Sequence, residues 1–419
     1  MRMPRWLKYS LAGLAALFAL AAVAVVVAVY TIDVDRYARL AIAEVKTVTG
    51  RELAIRGKLD ISLFPRLAVR AEDVSFANAG WGSRPEMIKA KRVDGAVALV
   101  PLLSRKVEIT RFAVTDLDVL LEKDAKGVGN WVLKPPAPAA APAPAGGGRD
   151  FHFDVHELVV DRGSLAWRNG ASKDTLRLAI RRLRMAERTL SSDRDVELDA
   201  AFREQPFTVK GRIGRIVDLI AKTADWPLDV VATTDGATAT AKGEIDWSAA
   251  LPALDLALKA ELKHAAGVAK LAGTPLDLPM PATLTAKFTS GKGEQVADPL
   301  KLTLGKSTLE GRASLKTDGP RPFLRATLAS PEIDLAQSPA PKRERRGGRV
   351  FSDAPFPLEA LRRFDADAEL AIGRLVLPNK LPLEGLKVRA QLKGGRLETQ
   401  PRAATAGGGP GSGRGVLDA

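Results

Sequence analysis

Cysteine is absent from all 419 residues, which removes disulfide frameworks, thiolate nucleophiles, zinc knuckles and iron–sulfur ligation at the outset. The absence fixes no compartment, because proteins of oxidising spaces also avoid thiols. Aromatic residues make up only 5% of the chain, so a core must be built from Ala, Leu and Val. No GxSxG elbow, phosphate-binding loop or dinucleotide fingerprint sits between a strand and a helix. The glycine runs at 146–148 and 407–409 read as linker or turn. What is present is a 46% apolar content, which excludes a disordered chain. The length exceeds what one hydrophobic core usually serves.

The formal net charge is +14, but it is not laid out for nucleic acid. Arg2, Arg5 and Lys8 hold part of it, the run KRERRGGR at 342–349 holds another part, and the rest is thinly spread. A nucleic-acid surface needs a dense basic stripe with stacking aromatics, so nucleic acid is excluded as a partner.

Residues 11–30 (LAGLAALFALAAVAVVVAVY) carry no charge, and as a helix would rise roughly 30 Å, the depth of a bilayer's hydrocarbon core. Arg2, Arg5 and Lys8 precede the run, and Asp33 and Asp35 follow it. The positive-inside rule then places residues 1–10 in the cytoplasm and everything after Thr31 outside. A cleaved signal peptide fits less well, since its apolar region is shorter and ends in a small-x-small site.

Residues 33–50 (DVDRYARLAIAEVKTVTG) predict one amphipathic helix, with Tyr37, Leu40, Ala41, Val45 and Val48 on one side and Gly50 as its stop. Later segments have period two. Leu254, Leu256, Leu258, Ala260 and Leu262 alternate with Asp255, Ala257, Lys259 and Glu261, and Leu386, Val388, Ala390 and Leu392 alternate with Lys387, Arg389 and Gln391. Such strands have one apolar and one wet face. The same pattern covers 196–202 and 282–288, and more weakly 53–63, 67–76, 176–180, 207–213, 228–234 and 366–372. Asp235-Gly236, Asp318-Gly319-Pro320 and Gly394-Gly395 suit hairpins. Helical patches are expected only near 215–222 and 357–364. The expected fold is mainly β: a transmembrane helix followed by a long, antiparallel, curved sheet of repeating groove type.

Two linkers divide the chain, a Pro/Ala/Gly segment at 135–149 and a basic one at 338–350. They set expected units of 31–134, 150–337 and 351–419. GEIDW from Gly243 followed by PALDLAL from Pro252 repeats as GRASL from Gly311 and PFLRATL from Pro322, 68 residues later. Each glycine is expected to open a strand. A further glycine-led strand starts near Gly411, so the last unit is expected to be incomplete at residue 419.

Candidate chemistry is sparse. His152, Asp154 and His156 would share one face of a strand and offer nitrogen and oxygen ligands to a metal, but a polar face opposite Phe151, Phe153 and Val155 explains them more simply. Asp116/Asp118 and Asp365/Asp367 are carboxylate pairs with no cleft marked around them. No catalytic residue, metal site or cofactor is therefore assigned. What remains is the sheet itself. Its apolar face needs a cover, and helices are too few. Acyl chains are one cover, each buried methylene contributing roughly 0.8 kcal/mol. Lining candidates are Leu254, Leu256, Leu258, Leu262, Leu386, Val388 and Leu392. The ordinary alternative is a closed sandwich.

The segments DVDRYARLAIAEVKTVTGRELAIRGKLDISLFPRLAVRAEDVSFAN, Trp81-Gly and Met87, KRVDGAVALVPLLSRKVEITRFAVTDLDVLLEKDAKGVGNW and RRFDADAELAIGRLVLPNKLPLEGLKVRAQLKGGRLETQP resemble AsmA family proteins of Gram-negative envelopes. The resemblance implies a single-pass inner-membrane anchor at 11–30, a cytoplasmic N-terminus, a periplasmic body and a part in outer-membrane biogenesis. It also implies kinship with bridge-like lipid carriers built from β-grooves. The expected function is non-enzymatic, holding or transferring phospholipid along an apolar groove. The alternative is a scaffold for outer-membrane protein assembly that works through contacts with envelope assembly proteins.

Overall fold

The computed structural model describes residues 34–62, 67–98, 107–133, 153–172, 174–188, 193–215, 218–219, 225–248, 252–291, 293–335, 362–377, 382–406 and 409–418. The chain forms two compact units, residues 1–177 and 178–419.

In the first unit, α1 (Val34–Thr49) stands where the periodicity of 33–50 places a helix. It stops at Gly50, whose φ of +67° suits a residue without Cβ and whose N–H donates to the Lys46 carbonyl at 2.8 Å. Seven strands follow: β1 (Leu53–Ile55), β2 (Leu59–Ser62), β3 (Leu67–Ala77), β4 (Glu86–Val97), β5 (Val107–Glu122), β6 (Phe153–Val155) and β7 (Glu157–Arg168). β1 and β2 are two pieces of one interrupted strand, both antiparallel to β3. β3, β4 and β5 form an antiparallel meander. β6 and β7 then lie beside β5 in parallel.

The second unit holds most of β8 (Thr175–Glu187), then β9 (Arg194–Phe202), β10 (Gln205–Ile213), β11 (Trp226–Thr234), β12 (Ala237–Asp246) and β13 (Ala253–Leu262). After the short helix α2 (Ala266–Ala272) come β14 (Ala282–Gly291), β15 (Glu294–Leu304), β16 (Ser307–Lys316) and β17 (Phe323–Asp334). The last strands are β18 (Asp365–Val376), β19 (Pro382–Lys393), β20 (Arg396–Ala406), β21 (Gly409–Ser412) and β22 (Gly415–Asp418). From β8 to β17 each strand pairs antiparallel with the next. β18 joins β17 in parallel, and the antiparallel order resumes through β19 and β20, against which both β21 and β22 pair.

Three expectations about the fold are corrected. The strands are not all antiparallel, because β5–β7 and β17–β18 are parallel. A parallel partner cannot be reached by a two-residue turn and needs a long connection. The segments between β5 and β6 and between β17 and β18 are those connections, and they contain the Pro/Ala/Gly and basic linkers. The curvature is also less than expected, since the sheet is neither closed nor strongly curled.

The third correction concerns the membrane. No described helix is long and apolar enough to cross a bilayer. The sixteen residues of α1 rise about 24 Å and include Asp35, Arg36, Arg39, Glu44 and Lys46. Residues 11–30 lie outside the described residues. The single-pass anchor, and the inner-membrane placement and periplasmic orientation built on it, therefore have no support in the structure.

Smaller differences have local causes. Helix α2, from AGVAKLA, is too short to show a helical period and was not expected. The patches at 215–222 and 357–364 lie mostly outside the described residues. Gly243 and Gly311 do not open strands but sit inside β12 and β16. Both have φ near +150°, and a Cβ on either would overlap the carbonyl oxygen of Asp255 or Thr327 on the next strand. The repeat thus marks two places where neighbouring backbones approach closely.

Candidate functional site

Register turns the alternation of single strands into a property of the second unit's sheet. Leu258 of β13 opposes Ala286, and the row continues through Leu300, Gly311, Leu328 and Leu370 to Val388 of β19. Six inter-strand steps of ~4.8 Å make this row about 29 Å long. The next row runs from Leu256 through Phe288, Ala297, Ala313, Ala326 and Ala368 to Ala390. A third links Leu254 to Leu392 but passes through Ser290 and Gln295.

β15 keeps the rows aligned by extruding Asp298 and Pro299 from the pairing on both sides. Pro299 has no N–H to donate, so a bulge is where it fits.

Four of the seven lining candidates thus fall into shared rows, Leu258 with Val388 and Leu254 with Leu392, while the row of Leu256 ends at Ala390. Leu262 and Leu386 do not join each other: the row of Leu262 ends at Ser307, and that of Leu386 meets Ile372 and Ser330. Leu300, Leu328 and Leu370 connect the two candidate groups and were not singled out from the sequence. The signal for Leu300 is a period-two run at 300–304 that went unread; the PFLRATL phrase and the run at 366–372, which hold Leu328 and Leu370, were read as strands but not as one surface.

Leu256 and Leu392 are buried, while Leu254, Leu258, Leu262, Leu386 and Val388 are only half-buried. A sandwich core would close over such side chains. Beyond hydrogen-bonded neighbours, the main packing among the described elements is α1 on β1 and β2, and α2 on β10.

The opposite face is charged. Arg212 pairs with Asp229 at 2.6 Å, Lys301 with Glu310 at 2.7 Å, Arg389 with Asp367 at 3.1 Å and Lys287 with Asp255 at 3.3 Å, all across strands. A cleft of about 450 Å³ on this side is lined by Glu369, Lys387, Arg389, Gln400 and Arg402, and one of about 430 Å³ in the first unit by Asp60, Arg70, Asp94 and Arg111.

None of the sequence candidates for chemistry forms a reactive site among the described residues. Asp116 accepts from Arg162 at 2.7 Å, and that bond holds its carboxyl below the usual carboxylate range. Burial pushes the Asp118 carboxyl up, but the hydrogen bond and charge of Arg84, with a bond from Ser164, leave it lowered overall. A general acid needs a raised value, so both stay ionised as ion-pair partners. Asp367 is held by Arg389, and Asp365 accepts from the Gly394 N–H at 2.8 Å. His152 and the Asp154 side chain lie outside the described residues, and no cluster of three metal-ligating side chains occurs within them.

A polar cluster that local sequence did not reveal sits at one end of the first unit's sheet. Asn130 is fully buried, Glu122 is 3% exposed and Asn78 is 7% exposed. Glu122 Oε1 accepts from Asn78 Nδ2 at 2.7 Å and from the Ser83 N–H at 2.8 Å. Asn130 Nδ2 donates to Asn78 Oδ1 at 2.9 Å and to the Leu120 carbonyl at 2.8 Å, while its Oδ1 accepts from the Glu122 N–H at 3.0 Å. Burial raises the Glu122 carboxyl, and the bonds from Ser83 and Asn78 with the charge of Arg168 outweigh it, so the net direction is down. The cluster is saturated with internal donors and ties the β3–β4 turn to the loop after β5.

The family model described as AsmA family matches residues 3–211. No curated protein matches the chain.

Proposed function

This chain belongs to the AsmA family, and on that premise we propose that its working surface is the apolar face of the second unit, on which acyl chains of lipid lie. Family membership supports a general part in cell-envelope biogenesis. AsmA-family proteins are non-catalytic scaffolds or carriers, and the chain is not an enzyme.

One observation carries the reading. The row from Leu258 to Val388 crosses seven strands without a polar side chain and leaves both its end residues half-buried. Half-buried leucines gain from any apolar cover at roughly 25 cal/mol per Å². An unbranched hydrocarbon chain covers a strip of this kind without needing a partner for a polar backbone. Leu254, Leu256, Leu258, Leu262, Leu386, Val388 and Leu392 are the proposed contacts. The charged face opposite keeps the surface one-sided.

A photoreactive amino acid placed in the full-length chain in Gram-negative cells tests this directly. Cells grown on radiolabelled phosphate are irradiated, and the purified chain is assayed for lipid adducts. Probes at Leu258 and Val388 are expected to acquire labelled lipid, and probes at Lys259 and Lys387, one residue away on the charged face, are not. Adducts with protein but not lipid at Leu258 and Val388 would replace the acyl-chain reading with a scaffold.

A further inference from the structure

The first unit carries an exposed aromatic tip that the acyl-chain reading does not use. The β3–β4 turn and the loop at 123–133 close the same end of the sheet, because β4 begins where β3 and β5 end. At that end Trp81 is 43% exposed, Trp131 39%, Val128 45% and Val132 56%. The tips are not loose. Ser83 and Asn78 on one loop and Asn130 on the other are bonded through Glu122 and one another. Trp131 packs over Gly129, where a Cβ would overlap its ring, and against Trp167 at 5.2 Å between centroids.

The charges are sorted as well. The acidic groups are engaged: Glu122 is buried, Asp118 is bound to Arg84, and Asp124 accepts from the N–H groups of Lys126 and Val128 at 2.9 and 2.8 Å. Lys126 is exposed and has no ion-pair partner among the described residues. The outward-facing side chains thus include two indoles, two valines and a cation. Indoles favour the boundary between hydrocarbon and headgroups, and cations favour anionic headgroups. A few side chains on two turns fall short of the roughly 20–30 residues a stable protein interface takes from each partner, whereas shallow insertion requires only tips.

We propose that this tip docks the first unit onto a phospholipid surface containing anionic lipid, by insertion of Trp81, Trp131 and Val132 at headgroup depth. The proposal is independent of what covers the second unit's apolar face.

The cysteine-free sequence allows the test. Full-length chain with Val132→Cys, or with Lys259→Cys as control, is labelled with an environment-sensitive fluorophore and kept soluble in an amphipathic polymer. It is then titrated with vesicles of phosphatidylcholine, with and without phosphatidylglycerol. Emission at 132 is expected to shift to the blue and be quenched by spin-labelled lipid with the anionic vesicles, while the control at 259 does not move. Trp81→Ser with Trp131→Ser should weaken the shift by about tenfold in lipid concentration. Lys126→Glu, on an exposed side chain that the fold does not need, should weaken it about fivefold for anionic vesicles and leave neutral ones unchanged. Emission at 132 that no vesicle moves, or equal shifts at 132 and 259, would overturn the proposal; the first result would leave the tip to a protein partner.

Discussion

The loop end of the first unit's sheet and the charged face of the second unit's sheet handle polar side chains in opposite ways. At the end of the first unit, Asn78, Glu122 and Asn130 are taken out of water and saturate one another's hydrogen bonds. On the charged face from β13 to β19, pairs such as Lys301–Glu310 and Arg389–Asp367 stay in water and bridge neighbouring strands. The first arrangement is costly to disturb, because every lost partner leaves a buried group unsatisfied. The second is tolerant, because water replaces a missing ion. A buried network therefore fixes two loops relative to each other, whereas an exposed ladder mainly decides which face of the sheet is wet.

The contrast breaks most sharply at Asn130. Asn130→Ala is expected to cost about 3 kcal/mol locally, since it removes the side-chain partner of the Leu120 carbonyl and of the Glu122 N–H and takes one of two donors from Asn78 Oδ1 in the interior. Hydrogen exchange on the full-length chain should show faster exchange in β4 and β5 and no change in β12 to β14. Unchanged protection in β5 would remove the claim that the cluster holds this end together.

A smaller effect is expected from pH. The folded-state value of Glu122 is lowered, so the ionised carboxylate contributes stability above its unfolded-state value. That contribution is lost as pH falls through the folded-state value. Protection of β5 should decline on acidification in the native chain, and the decline should be shallower in Glu122→Gln. Equal slopes in the two proteins would mean that Glu122 is not the group responsible.

The smallest effect sharpens the other side of the comparison. Lys301 and Glu310 are 2.7 Å apart but both more than half exposed. Lys301→Ala should change stability by no more than about 0.5 kcal/mol, and by less at high salt. A loss several times larger, measured by hydrogen exchange in β15 and β16, would show that the ladder holds the sheet together and does more than choose its faces.

Much of this was legible in the sequence. The alternation at 254–262 and 386–392 marks two-faced strands, and Asp235-Gly236 and Gly394-Gly395 mark tight hairpins that the structure contains. The glycines at 243 and 311 were visible as a repeat, but not as sites where the next strand's carbonyl fills the place of a side chain. The Pro/Ala/Gly and basic segments were visible as interruptions. Nothing in them indicates that the chain returns beside the strand it left, because polyproline-like or charged composition is the same whichever way the chain goes next. The buried cluster left no local trace, since Asn78 and Asn130 are 52 residues apart and either one alone reads as a turn residue.

The order of residues alone fixes that the strands are amphipathic, where most of them turn, and that no cysteine is at hand. Those properties follow from side-chain period, from turn residues and from residue types, all of which act over a few neighbouring positions. Only the tertiary structure decided that Leu258 and Val388 share one row, that two joins are parallel, and that Glu122 meets Asn78. Such features depend on hydrogen-bond register and chain return over tens to more than a hundred residues, and a one-residue slip in any strand would have sent its leucines to the wet face.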